Sequence, residues 1–131
     1  MNAPDIPSLL SSFIEERRRM PFEWGSNDCC LFAADWVHRV TGRDPAAPYR
    51  GTYSSGVGAQ RIIDQAGGIL ELARELGLEP KPIALAQRGD VIARDTGNGI
   101  GLGVCIGSTA AFVARDGLEF VDLNNASCWG L

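Results

Sequence analysis

Two adjacent thiols stand near the head of the stretch Trp24-Gly-Ser-Asn-Asp-Cys-Cys-Leu-Phe-Ala-Ala-Asp-Trp-Val-His38. A thiolate is the nucleophile of cysteine hydrolases, so Cys29 is the first candidate for chemistry. Asn27 and Asp28 are favoured helix caps, because their side-chain oxygens accept the unpaired amides of a first turn. Gly42 supplies the stop. At about 100° per residue, Cys29, Phe32, Ala33, Trp36 and Val40 share one face of the helix. Cys30, Ala34 and Val37 lie beside it, and Asp35, His38 and Arg39 lie on the far side. Cys29 therefore points inward at a helix N-terminus, where the partial positive charge favours thiolate over thiol. A cysteine on an apolar helix face is more often a small packing residue.

A thiol nucleophile needs a base within roughly 3 Å, or one water, of the proton it gives up. His38 is the one histidine of the chain. It stands about 13 Å of helical rise from Cys29 and half a turn out of phase, which predicts a surface side chain rather than a base. Asp28 has the wrong sign, because a neighbouring carboxylate raises a thiol pKa. Cys30 is no base either. Cys29 is accordingly expected to react slowly with alkylating reagents at neutral pH.

The elements that must position these residues follow from pattern and punctuation. Pro7 to Met20 reads as a first helix, with Leu9, Leu10, Phe13 and Ile14 inward and Arg17 at the edge. Arg17-Arg-Arg19 closes it as a solvated basic end. Arg43 to Tyr53 carries two prolines and a glycine and reads as an ordered loop. Its Tyr49, Arg50 and Tyr53 are candidate contact residues, as is Trp24 in the loop before the thiols; packing against the core is preferred for the loop residues. Ser54 or Ser55 caps a short helix running to about Gln65. Gly67-Gly68 breaks it, and Ile69 to Leu76 forms another. Strands are expected at Asp90–Ala93, Leu102–Ile106, Ala110–Ala114 and Leu118–Leu123. Asp95 to Gly101 reads as a flexible loop, Arg115-Asp-Gly117 as a hairpin turn, and Asn124 to Leu131 as a polar turn and short tail. Helices first and antiparallel strands after predict one α+β domain over residues 1–131.

Composition narrows the function classes. The chain has 131 residues, 45% of them apolar, and a formal net charge of −4. That size suits one core, and the charge gives no case for nucleic acid. No apolar run is long enough for a membrane helix. The N-terminal Met1-Asn-Ala-Pro lacks the basic start and apolar block of a secretory signal. Cys29, Cys30, Cys105 and Cys128 contain no Cys-x-x-Cys spacing, so neither a metal nor another cofactor is expected.

Three motifs point further. They are Trp24-Gly25 followed by Asp28-Cys29 at a helix start, Tyr49-Arg-Gly-Thr-Tyr53, and Gly89-Asp90-Val91 opening a strand with Gly103-Val-Cys-Ile-Gly107 on the next. In order and spacing, from about Pro21 to Gly107, they resemble the NlpC-like cell-wall peptidases. These form a papain-like family in which a cysteine-bearing helix packs on a small antiparallel sheet. More specifically, the chain is similar to small NlpC-like proteins found in bacteriophage tail gene clusters. The resemblance implies Cys29 as nucleophile and peptidoglycan stem peptides as substrate. It also implies a base that opens the strand after Gly-Asp, and here that place falls on Gly101. A tyrosine common before the tryptophan is replaced by Phe22. The expectation is therefore a phage tail or tail-tip component with weak or no peptidase activity, located in the virion tail after synthesis in the host cytoplasm. Its partners would be other tail proteins. An active cysteine peptidase acting on peptidoglycan is the alternative.

Overall fold

Residues 5–95 and 99–131 are described by the structure, a computed structural model. The first helix, α1 (Ile6–Arg17), starts where the Asp5 carboxylate accepts the Ser8 amide, and it ends three residues before the expected Met20. Helix α2 (Cys29–Thr41) is capped by Asp28, which accepts the Leu31 amide, and is stopped by Gly42 in the left-handed region. Ser55 caps α3 (Gly56–Ala66), and α4 (Ile69–Glu75) follows after Gly67-Gly68.

The strands are β1 (Glu79–Lys81), β2 (Val91–Asp95), β3 (Ile100–Cys105), β4 (Thr109–Ala114), β5 (Gly117–Asp122) and β6 (Ser127–Gly130). They form one antiparallel sheet in the order β1-β6-β2-β3-β4-β5. Helices followed by an antiparallel sheet make this an α+β fold, as the element order predicts.

Strand β6 corrects the expectation of a polar tail. Ser127–Gly130 lies inside the sheet between β1 and β2, with Cys128 and Trp129 both buried. Four residues are too few to display an alternation, and their partner β1 begins with Glu-Pro-Lys, which carries no strand signal of its own. Pro80 is tolerated there because β1 is an edge strand, where a missing amide breaks no ladder. The loop expected over 95–101 is shorter, since Asp95 closes β2 while Ile100 and Gly101 open β3. Residues 96–98 lie outside the described residues, as does the N-terminal stretch 1–4.

Helix α2 is the centre of the core. Phe32 and Trp36 pack with Leu10 and Phe13 of α1 and with Val104 and Ala111 of the sheet. Ala33 and Val37 meet Leu72, Leu102, Val91 and Trp129. Leu31 and Ala34 face Ala46. A helix surrounded in this way is apolar over most of its circumference. The buried Trp36 also satisfies its own polar atom, donating from Nε1 to the Gly89 carbonyl at 2.7 Å. The opposite face of the sheet has a smaller core of Ile92, Cys105, Phe112 and Cys128.

Candidate functional site

The site is built around the cap of α2. Asp28 is 2% exposed, and its carboxylate accepts three hydrogen bonds: from the amides of Leu31 and Gly25, both at 3.0 Å, and from the Tyr53 hydroxyl. A buried carboxylate is tolerated when its lone pairs are filled in this way. Burial, and then the Asp28 carboxylate, push the Tyr53 phenol well above its ordinary pKa, so it remains a donor. Gly25 is indispensable to the arrangement. It has φ +83, and a Cβ there would stand 2.1 Å from the Tyr53 carbonyl oxygen. Its own carbonyl accepts the Gly51 amide at 3.1 Å. The Trp-Gly and Tyr-Arg-Gly-x-Tyr motifs are thus two halves of one packed contact.

Behind this layer runs a chain of charges. Asp35 bridges Arg17 and Arg50, each at 2.5 Å, and Arg50 reaches Asp44 at 2.8 Å. Arg17 also donates to Asn27 Oδ1 at 2.7 Å, and Asn27 donates to the Pro21 carbonyl at 2.8 Å. Arg17 is therefore no solvated helix end; its side chain is only 12% exposed and stacks over Phe13 and Phe32. The guanidinium is held inside by Asp35 of α2 and by Asn27 just before that helix. Asp44 and Asp35 hold the Arg50 pKa above its ordinary value.

The Cys29 and Cys30 sulfurs lie 4.0 Å apart at the first turn of α2. The hydrogen bond between the two thiols, in which Cys30 is the donor once Cys29 is ionised, brings the Cys29 pKa down to about 7; the Leu102 main chain acts in the same direction, against burial and the Asp28 charge. The same hydrogen bond, with burial, drives Cys30 upward. The Asp28 charge raises the Cys29 pKa, as its sign predicts, and is outweighed here by the hydrogen bonds to the sulfur. Two hydrogen-bond donors at close range outweigh a carboxylate whose own charge is already engaged by three donors.

Cys29 opens onto a cleft of about 700 Å³. Its lining includes Phe22, Trp24, Tyr49 and Tyr53, together with Gly101 and Val113 of the sheet. Trp24 is 40% exposed and packs edge-on against Phe22, with ring centres 4.6 Å apart. Trp24, Cys29, Tyr49 and Tyr53 all line this cleft, and Tyr49 and Tyr53 also pack on the core at Leu31, Ala34 and Ala46. Arg50 does not line it, because it is held behind α2 by Asp35 and Asp44. His38 is exposed on the far face, in a separate depression with Phe13, Arg17, Asp35 and Arg39. Among the described residues no group of three or more His, Cys, Asp or Glu side chains is placed to hold a metal ion. The residues missed from sequence are the Leu102 amide and the Cys30 donor. Neither has a signature, since one is main chain and the other acts through a rotamer.

The chain belongs to the family described as a domain of unknown function (DUF6950), which matches residues 1–130. No curated protein matches it. No helix among the described residues is long and apolar enough to cross a membrane.

Proposed function

We propose that this chain is an NlpC-like, papain-like domain that has kept the cysteine helix and cleft but not hydrolysis, and that it serves as a structural or assembly component of a phage tail or tail tip. Its cleft then binds rather than cuts, and its partners are other tail proteins. The observation that carries the non-hydrolytic reading is what stands opposite Cys29. The sulfur meets the main chain of Leu102, next to Gly101, a residue with no side chain to take a proton. The single histidine lies on the other face of α2. Covalent catalysis by a thiol ordinarily needs a base in reach. The tail assignment rests on the motif resemblance.

The test is assembly against hydrolysis. Particles carrying Cys29→Ala or Cys29→Ser should assemble and infect nearly as the parent does, and purified protein should leave stem peptides intact. Cleavage that Cys29→Ala abolishes would overturn the non-hydrolytic reading. Absence of the protein from assembled tails, with no requirement for it in building them, would overturn the tail assignment.

One observation favours the second reading, an active peptidase on peptidoglycan stem peptides. The Cys29 thiol is lowered to about 7, so a large share is thiolate at neutral pH. A thiolate formed without an imidazole could still attack, but protonation of the leaving amine would lack a partner.

A further inference from the structure

Cys29 and Cys30 are neighbours in space as well as in sequence. Successive side chains of a helix point about 100° apart and do not ordinarily face each other. Here the two sulfurs stand 4.0 Å apart, and both residues line the same cleft. Both belong to the first turn of α2. First-turn amides have no acceptor within the helix, and the Cys30 main chain bonds the Cys29 sulfur instead. The other two cysteines are held elsewhere. Cys105 and Cys128 are buried in the cluster with Ile92 and Phe112, where Cys105 donates to the Gly107 carbonyl and Cys128 to the Asp90 carboxylate.

The pair ionises one sulfur at a time. While Cys29 carries the charge, four effects keep Cys30 protonated: the hydrogen bond to Cys29, burial, the Cys29 charge and the Asp28 charge. The first and the third originate in Cys29 itself. A covalent bond formed at the Cys29 sulfur removes its charge, and both effects vanish together. Cys30 then becomes more acidic than before, next to a sulfur that has turned electrophilic.

We propose that Cys29 and Cys30 form a thiol–disulfide exchange site for a low-molecular-weight disulfide, RSSR, with Cys29 attacking and Cys30 resolving. The Cys29 thiolate attacks one sulfur of RSSR. The Cys29–SR bond forms, the S–S bond of RSSR breaks, and the first RS⁻ leaves and takes a proton from solvent. Cys30 then gives up its proton and attacks the Cys29 sulfur. The Cys29–Cys30 bond forms, and the second RS⁻ leaves and is protonated. RSSR is reduced to two RSH, and the protein dithiol is oxidised. Access sets the size of the substrate. Neither thiol is exposed, and a cleft of about 700 Å³ suits a small molecule rather than the surface of a folded protein. The ring is also easily reopened. Adjacent Cα atoms are about 3.8 Å apart, whereas ordinary disulfides span about 4.4–6.8 Å, so this bond is strained and readily reduced. The site therefore returns its oxidation to a thiol rather than keeping it. The inference concerns the thiol pair and depends neither on the tail assignment nor on the absence of hydrolysis.

The test treats the reduced full chain with a modest excess of bis(2-hydroxyethyl) disulfide, followed by an acid quench and mass spectrometry of tryptic peptides. Residues 20–39 form one peptide with both thiols, and Cys105 and Cys128 fall on two others. The parent should lose two hydrogens within 20–39, release two equivalents of 2-mercaptoethanol and keep no adduct. Excess 2-mercaptoethanol should restore its mass. Cys30→Ala should stop with one hydroxyethylthio group on Cys29. Cys29→Ala should release 2-mercaptoethanol on the order of tenfold more slowly than the parent. A parent that keeps an adduct, fails to react, or forms its bond to Cys105 or Cys128 would overturn the inference, as would a Cys29→Ala variant that reacts as fast as the parent. The parent's own product decides the matter even where a variant misfolds.

Discussion

The Tyr53 hydroxyl donates to the carboxylate of Asp28, the same group that caps the helix bearing Cys29. Twenty-five residues of sequence separate them, and the bond ties the loop after α2 to the helix N-terminus. Tyr53→Phe removes the donor and leaves a buried carboxylate short of one partner. The loss should be about 1.5–3 kcal/mol, the range for hydrogen bonds to charged groups. Thermal melting of the variant is the measurement, and an unchanged midpoint would mean that solvent replaces the phenol.

The thiol pair predicts a pH profile. Alkylation of Cys29 should rise with pH and reach half its limiting rate near 7, because the thiolate is the reacting form and its pKa is lowered to about 7. A donor hydrogen bond stabilises the charged form, so losing it must move the midpoint upward. Cys30→Ala should therefore raise it, whereas Cys30→Ser, which keeps a donor, should hold it closer to the parent. A midpoint indifferent to both changes would assign the lowering to the Leu102 amide.

Gly25→Ala should be among the most damaging small substitutions. The new methyl would meet the Tyr53 carbonyl at 2.1 Å on a backbone at φ +83. Strain in the left-handed region alone costs about 1–2 kcal/mol, and the contact adds an overpacking penalty of about 1–3 kcal/mol. Denaturant unfolding should show a loss near the upper end of the sum, and the Asp28–Tyr53 bond should break with it. A loss below 1 kcal/mol would refute the close approach.

Asp35→Ala strips two guanidinium groups of their shared partner. Arg17 and Arg50 are 12% and 30% exposed, so solvent screens them only in part. Removing one member of a buried ion network costs about 3–5 kcal/mol; with this much solvent access the low end is expected. Asp35→Ala combined with Arg17→Met should recover part of the loss, because an apolar side chain suits the bed of Phe13 and Phe32.

Trp36→Ala should cost about 3–5 kcal/mol, as expected for truncating a fully buried aromatic residue. Trp36→Phe isolates the polar part, since it keeps a ring and deletes the donor to the Gly89 carbonyl. About 1–3 kcal/mol should follow from that unsatisfied oxygen, read by the same melting experiment.

The sequence by itself determined the local elements and their order. Asp28 and Gly42 bound α2, Ser55 and Gly67 bound α3, and the apolar phase of α2 placed Trp36 in the core, because caps and periodicity are properties of neighbours in the chain. It also put His38 out of reach by helical geometry alone, whereas the meeting of Trp24, Cys29, Tyr49 and Tyr53 at one cleft was decided by the fold. What only the tertiary structure decided depends on residues far apart. Ser127–Gly130 becomes a strand because β1 and β2 offer it edges on both sides. Arg17 is drawn inside because Asp35 and Asn27 wait there. The Cys29 thiol is lowered because the Cys30 rotamer and the Leu102 amide converge on its sulfur. Hydrogen bonds outweighed the Coulomb effect of Asp28 at that point, and no spacing in the chain records which main-chain amide a folded sheet will turn toward a side chain.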